Sequence, residues 1–188
     1  MSRRHRFVPE PPPPSAPPRA TGTLLIWNHG YVLAVSRHGK PHDLGLPGGK
    51  VEAGETPLQA AIRETREETG LPMEIGPGFH VEIDGYQVVT LRWRPEDREH
   101  QWPDQVSLRQ VYSDLDGTPS GRHHYVFEGS FVHGCPPLGP YVSARRQEDQ
   151  DLTVVWAHPE RLLMHTNTYS GFNRKMFVHL GICEAVGV

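Results

Sequence analysis

Cysteine is nearly absent: the 188 residues carry two, Cys135 and Cys183. Two thiols cannot staple a small secreted scaffold, and neither stands in a metal-ligand spacing. The expectation is free thiols in a reducing, cytoplasmic setting. Long apolar runs are missing as well. No stretch approaches the ~18 uninterrupted apolar residues of a membrane span, and the basic start MSRRHRF has no apolar segment behind it to read as a signal peptide. Nor is there an excess of positive charge. Nineteen Lys and Arg face 22 Asp and Glu, so the net charge of −3 supplies no overall field for holding nucleic acid. Hydrophobic residues reach only 36%, while 19 prolines and 19 glycines assign much of the chain to loops. What remains is enough for the core of one domain.

Proline is unevenly spread. PEPPPPSAPP falls within residues 1–20, which read as a polyproline II or disordered tail, leaving 21–188 as the folded domain. From Thr21 the segments GTLLIW and YVLAVSR flank Asn28-His29-Gly30, residues that tolerate positive φ, and read as a hairpin. HVEI and YQVVTLRW flank Asp84-Gly85 in the same way. VSLRQVYS and RHHYVFEGSFV make a further pair of strands. DLTVVW is a strand ending in Trp156 that leads into a short helix near Pro159. A closing helix follows between Tyr169 and Val186, with Phe172, Met176, Phe177 and Leu180 as its buried stripe. His123 and His124 are neighbours on a strand and so point to opposite faces, which argues against a shared metal.

The densest information lies in GGKVEAGETPLQAAIRETREETGL, Gly48 to Leu71. It reads as a glycine loop feeding a helix with marked ends. Thr56 is the N-cap, Pro57 the first helical residue and Gln59 the partner in a capping box, while Gly70 is the left-handed stop. At about 100° per residue, Leu58, Ala61, Ile62 and Thr65 share a buried stripe. Gln59 and Arg66 point to solvent. Glu64, Glu67 and Glu68 fall on a third face, with the small Ala60 one turn earlier leaving room beside them. Like charges at these spacings repel, and carboxylates near a helix C-terminus oppose the macrodipole. A solvated face with routine Arg63 and Arg66 salt bridges is one reading. A hard divalent cation offsetting the repulsion is the other.

The spacing decides between them. Gly49, five residues, Glu55, seven residues, then Arg63-Glu64-Thr65-Arg66-Glu67-Glu68-Thr69-Gly70-Leu71 resembles the signature of the Nudix hydrolase family, Gly-x5-Glu-x7-Arg-Glu-U-x-Glu-Glu-x-Gly-U, with U a bulky aliphatic residue. Every charged and glycine position matches. Thr65 replaces the first aliphatic residue. The resemblance implies an α/β fold, an α/β/α sandwich around a mixed curved sheet, in which 79–105 is longer than the family core needs and reads as an insertion. It implies hydrolysis of a diphosphate linkage in a small nucleoside phosphate with Mg²⁺ (or Mn²⁺). Glu64, Glu67 and Glu68 are then the expected metal ligands, joined by the Gly48 carbonyl. Glu55 is expected to pair with Arg63 and hold the loop against the helix. Arg37, Gly49 and Lys50 are candidates for substrate phosphate; Glu148, Asp149 and Asp151 are candidates for an extra ligand, a base or a nucleobase contact. The run LPGGKVEAGETPLQAA most resembles MutT-type nucleoside triphosphate pyrophosphatases, some of which sanitise nucleotide pools. ADP-ribose, nucleotide sugars and dinucleoside polyphosphates stay open as substrates, and a non-catalytic nucleotide-sensing module stays open as a different class. Nucleic acid and membrane are disfavoured as partners, and the sequence leaves monomer and homodimer both open.

Overall fold

The computed structural model describes residues 19–70, 73–83, 86–93, 105–114, 122–131 and 152–184. Strands β1 (Arg19–Asn28), β2 (Tyr31–Arg37), β3 (Lys40–Gly45) and β4 (Gly48–Lys50) precede helix α1 (Pro57–Thr69). Strands β5 (Met73–Ile83), β6 (Tyr86–Trp93), β7 (Gln105–Asp114), β8 (Arg122–Phe131) and β9 (Val154–Ala157) follow, then helices α2 (Pro159–Leu162) and α3 (Ser170–His179). They form one mixed, curved sheet in the order β3-β2-β1-β8-β7-β6-β5, with β4 paired to β1 and β9 to β2. Among the described pairs, β1 with β8 is the parallel one, from Arg19↔Arg122 to Ile26↔Gly129.

Alternation along the central strands sends side chains to two cores. Leu24 and Ile26 of β1, Leu33 and Val35 of β2, and Phe127 of β8 pack with Ala61 and Ile62 of α1. Leu25, Val32, Ala34 and Val126 face the other way and pack with Leu162 of α2 and with Met176 and Phe177 of α3. The sheet is thus covered on both faces, the α/β sandwich that the motif resemblance implies.

Local signals place several elements. His29 (φ 49°) and Gly30 (φ 82°) turn β1 into β2, with Trp27↔Val32 and Asn28↔Tyr31 in register. Ile83↔Tyr86 pairs the end of β5 with the start of β6, and Asp84-Gly85 lie outside the described residues. In α1 the Thr56 hydroxyl accepts from the Gln59 N–H at 3.2 Å, and the Gln59 amide oxygen accepts from the Thr56 N–H at 2.8 Å. Gly70 caps the other end in the left-handed region. Thr65 costs the buried stripe little, because its hydroxyl donates to the Ala61 carbonyl at 2.7 Å.

Four readings need correction. β1 begins at Arg19, inside the stretch read as tail. The glycine loop read from Gly48 opens as strand; double glycine has no strand propensity, and β4 exists because Gly48 and Gly49 pair across to Thr23 and Gly22. Ala60, read as a small neighbour of the acidic face, is fully buried. β5 starts at Met73, seven residues before HVEI, and is interrupted by an irregularity between Ile75 and His80.

Because the capping box satisfies two N-terminal donors of α1, Thr56→Ala should lower stability by about 1 kcal/mol in urea unfolding. An unchanged midpoint would show that packing alone fixes the start of the helix.

Candidate active site

Arg63, on the second turn of α1, gathers the loop and the helix around its guanidinium. Nε and Nη2 bind the two Glu55 oxygens at 2.8 and 3.1 Å, a bidentate pair. Nη2 also donates to the Lys50 carbonyl at 3.0 Å, and Nη1 to Glu64 at 3.0 Å and Glu67 at 3.2 Å. The Arg63 hydrogen bond holds the Glu55 carboxyl below its usual range, helped by the Glu52 N–H and opposed by burial. Pairing with Glu55, and then with Glu64, raises the Arg63 pKa further above its already high value.

Glu68 turns the other way. Its carboxylate accepts from the Gly48 N–H at 2.9 Å. Burial pushes its pKa up to about 7, with Glu64 and Glu67 adding to the rise; the Gly48 hydrogen bond and Arg37 oppose it. The acidic face is therefore split. Glu64 and Glu67 lean on Arg63, Glu68 leans on the glycine strand, and Gly48 meets Glu68 through its N–H. Among the described residues no three acidic, His or Cys side chains converge in a metal-holding arrangement. The donor chemistry nevertheless suits a hard cation: Glu64, Glu67 and Glu68 are carboxylates at i, i+3 and i+4 of one helix, and a cation would offset their mutual repulsion.

A pocket of ≈ 180 Å³ opens beside this cluster. Glu68, Gly48, Gly49 and Lys50 line it, as do Arg37 from the end of β2 and Arg122 and His124 from β8. Tyr169, Phe172 and Asn173 complete the wall from α3 and the turn before it. The His124 and Phe172 rings lie 4.6 Å apart, tilted by 39°. His124 Nδ1 is 2.8 Å from the Thr21 hydroxyl. Burial lowers the His124 pKa, Arg122, His123 and Lys175 lower it further, and Asp114 opposes them.

The structure thus brings Arg37, Gly48, Gly49, Lys50 and Glu68 to one pocket, with Glu55, Arg63, Glu64 and Glu67 behind it. Glu148, Asp149 and Asp151 lie outside the described residues. Sequence reasoning missed Arg122, Tyr169 and the inward placement of His124. Arg122 and His124 are two apart on one strand and so share a face, a signal that was present. Which face meets the glycine strand follows from the Thr21↔His124 register of the parallel pair, which has no local signature.

The two glycines carry different constraints. Gly48 has φ 153°, and a β-carbon there would stand 2.4 Å from the Gly22 carbonyl oxygen and 2.7 Å from the Thr23 Cα. At Gly49 a β-carbon would stand 2.3 Å from the Glu64 carboxyl carbon, the tip of a side chain that can swing away. Gly48→Ala should therefore cost about 1–3 kcal/mol of stability, read by urea unfolding. Gly49→Ala should leave stability within about 0.5 kcal/mol, because the Glu64 carboxylate can swing aside. Equal stability losses at both positions would contradict this division.

A family model described as the NUDIX domain matches residues 16–177. An RNA pyrophosphohydrolase of Acinetobacter baylyi is 33% identical over 137 residues, covering 66% of this chain and 78% of that protein. A Mycobacterium tuberculosis protein named as an 8-oxo-dGTP diphosphatase is 32% identical over 108 residues, 50% of this chain and 76% of its own. An RNA pyrophosphohydrolase of Psychromonas ingrahamii is 35% identical over 91 residues, so the match spans about half of either protein, 47% in each case. Among solved structures, a nudix hydrolase family member of Chromobacterium violaceum is 19% identical with a TM-score of 0.47, covering 93% of this chain and 84% of that one. With the family model matching most of its length and the signature complete in every charged position, this chain belongs to the Nudix hydrolase family.

Proposed function

We propose that this chain hydrolyses the diphosphate linkage of a nucleoside phosphate, releasing a nucleoside monophosphate and pyrophosphate from a nucleoside triphosphate. The observation that carries the proposal is a single pocket combining three kinds of surface. It has a carboxylate backed by an acidic helix face (Glu68), cations on several elements (Arg37, Lys50, Arg122) and rings (His124, Phe172, Tyr169). A nucleoside phosphate presents the complements of all three: a cation-bridged anhydride, phosphate oxygens and a flat base.

Within this reading, Glu64, Glu67 and Glu68 hold Mg²⁺ or Mn²⁺. A divalent cation held by these carboxylates would supply neutralising charge for the diphosphate and would lower the pKa of a bound water. Arg37 and Lys50 bind phosphate oxygens. Glu55 and Arg63 touch no substrate; they keep the Gly48–Lys50 strand against α1, so that substrate and carboxylates stay in register. The His124 and Phe172 rings give the base an apolar surface that excludes water from one side of the pocket. The Psychromonas ingrahamii and Acinetobacter baylyi relatives are among those that carry the name RNA pyrophosphohydrolase, which favours a second reading in which the diphosphate linkage ends an RNA chain.

Incubating a deoxynucleoside triphosphate with Mg²⁺ in ¹⁸O-water separates these possibilities. The expected products are monophosphate and pyrophosphate, with label in one of them and none in inorganic phosphate. Nucleoside diphosphate with labelled inorganic phosphate would overturn the pyrophosphatase reading while leaving a hydrolase. Turnover confined to 5′-triphosphorylated RNA would move the assignment to the second reading. Binding without turnover across triphosphates, nucleotide sugars, ADP-ribose and dinucleotides would favour a nucleotide-sensing module.

A further inference from the structure

Arg37 closes β2 at a place where the strand changes register. Val35 and Ser36 pair in step with Gly45 and Leu44 of β3, but the next pair is Arg37↔Lys40, so the ladder shifts register between Ser36 and Arg37. At that break in the ladder the Arg37 side chain lines the pocket. An arginine at an exposed strand end would ordinarily sample many rotamers. This one does not stand alone: its guanidinium carbon lies 4.5 Å from the centroid of the Tyr169 ring, within cation–π range.

Tyr169 is itself held from both sides. The preceding residue, Thr168, donates its N–H to Asp43 Oδ1 at 2.8 Å and its hydroxyl to Asp43 Oδ2 at 2.5 Å. Asn167 accepts from the Leu44 N–H at 3.1 Å. On the other side, the Tyr169 carbonyl accepts from the Asn173 N–H in the first turn of α3. Asp43 and Asn167 are buried, so this clamp joins β3 to the turn before α3 in a protected place. The clamp fixes the backbone that carries the ring, which then has only two torsions of its own. The arginine lying on the ring is a flexible chain whose ordering cost falls when the ring is already in place.

We propose that Tyr169 is a positioning residue, whose ring pre-sets the Arg37 guanidinium to receive the phosphate groups of the substrate. This deepens the reading of the pocket as a nucleoside phosphate site and rests on it. The alternative use of the same ring, stacking on the base, makes a different demand: it matters only when a base is present. Inorganic tripolyphosphate, which has phosphates and no base, therefore separates the two.

Calorimetry with tripolyphosphate in a calcium buffer, which limits turnover, is the test. Tyr169→Phe keeps the ring and should bind like the parent. Tyr169→Leu should raise the Kd roughly three- to tenfold. In an Arg37→Ala background the same Tyr169→Leu change should have no further effect, because the group being positioned is gone. Parent-like binding by Tyr169→Leu, penalties that simply add in the double variant, or no tripolyphosphate binding by the parent would each overturn the inference. Melting temperatures of all variants identify any that fail to fold, and the Phe variant then carries the comparison: weakened binding with the ring intact would overturn the proposal too. Hydrolysis is not the readout. A chain that binds tripolyphosphate through this pair but turns over no nucleotide would sink the proposed function alone. One that hydrolyses nucleotides while Tyr169→Leu leaves binding unchanged would sink this inference alone.

Discussion

Arg63 is the constraint on which the rest of the site depends. A guanidinium has five N–H groups in a fixed plane, and here all five are engaged: two by Glu55, one by the Lys50 carbonyl, one each by Glu64 and Glu67. Lysine, a point charge on a flexible stem, cannot hold partners in that planar arrangement. The consequence is mechanical as well as electrostatic. The residues just before and after the turn into α1 are bound to a side chain in the middle of α1, so loop, strand β4 and helix behave as one piece. Like charges that would otherwise repel along the helix face are brought together because a cation stands between them.

From that piece the pocket is built outward. Glu68 lies on the far side of the acidic face from Arg63 and reaches the Gly48 N–H, bringing a partly buried carboxylate to the edge of β4. Opposite elements supply the complement. β2 delivers Arg37 from its end, β8 delivers Arg122 and His124 through alternation, and α3 with its preceding turn delivers Tyr169 and Phe172. The Asp43–Thr168 clamp and the Lys175–Asp114 pair at 2.9 Å hold the α3 wall to β3 and β7. The Asp43 hydrogen bonds form despite burial, which alone would raise its pKa; Thr168, Lys40 and Arg37 together bring it below the ordinary value.

What the sequence made legible follows from the range of each interaction. Helix α1 could be read end to end because its signals are local: Thr56, Pro57, Gln59 and Gly70 each act within one turn. The β1–β2 hairpin was legible for the same reason, through His29 and Gly30. β4 was not, because glycine has no strand preference and its partner lies in β1. His124 could be placed on one face or the other by alternation, yet its meeting with Thr21, 103 residues away, depends on a parallel pairing with no local mark. Tyr169 is harder still. Its role is visible only once Asp43 and Thr168, far apart in the chain, have met. The spacing gave the acidic residues of α1 but not their division between Arg63 and Gly48, which is set by side-chain geometry.

We propose that this divided acidic face seats the divalent cation of the reaction. Glu68→Gln tests it most directly, since glutamine keeps the volume and can still accept from the Gly48 N–H while removing one ligand charge. Mn²⁺ affinity measured by electron paramagnetic resonance, on variants shown by melting to be folded, should fall roughly tenfold or more, as expected when a charged ligand is lost. Wild-type Mn²⁺ affinity in folded Glu68→Gln would contradict the account.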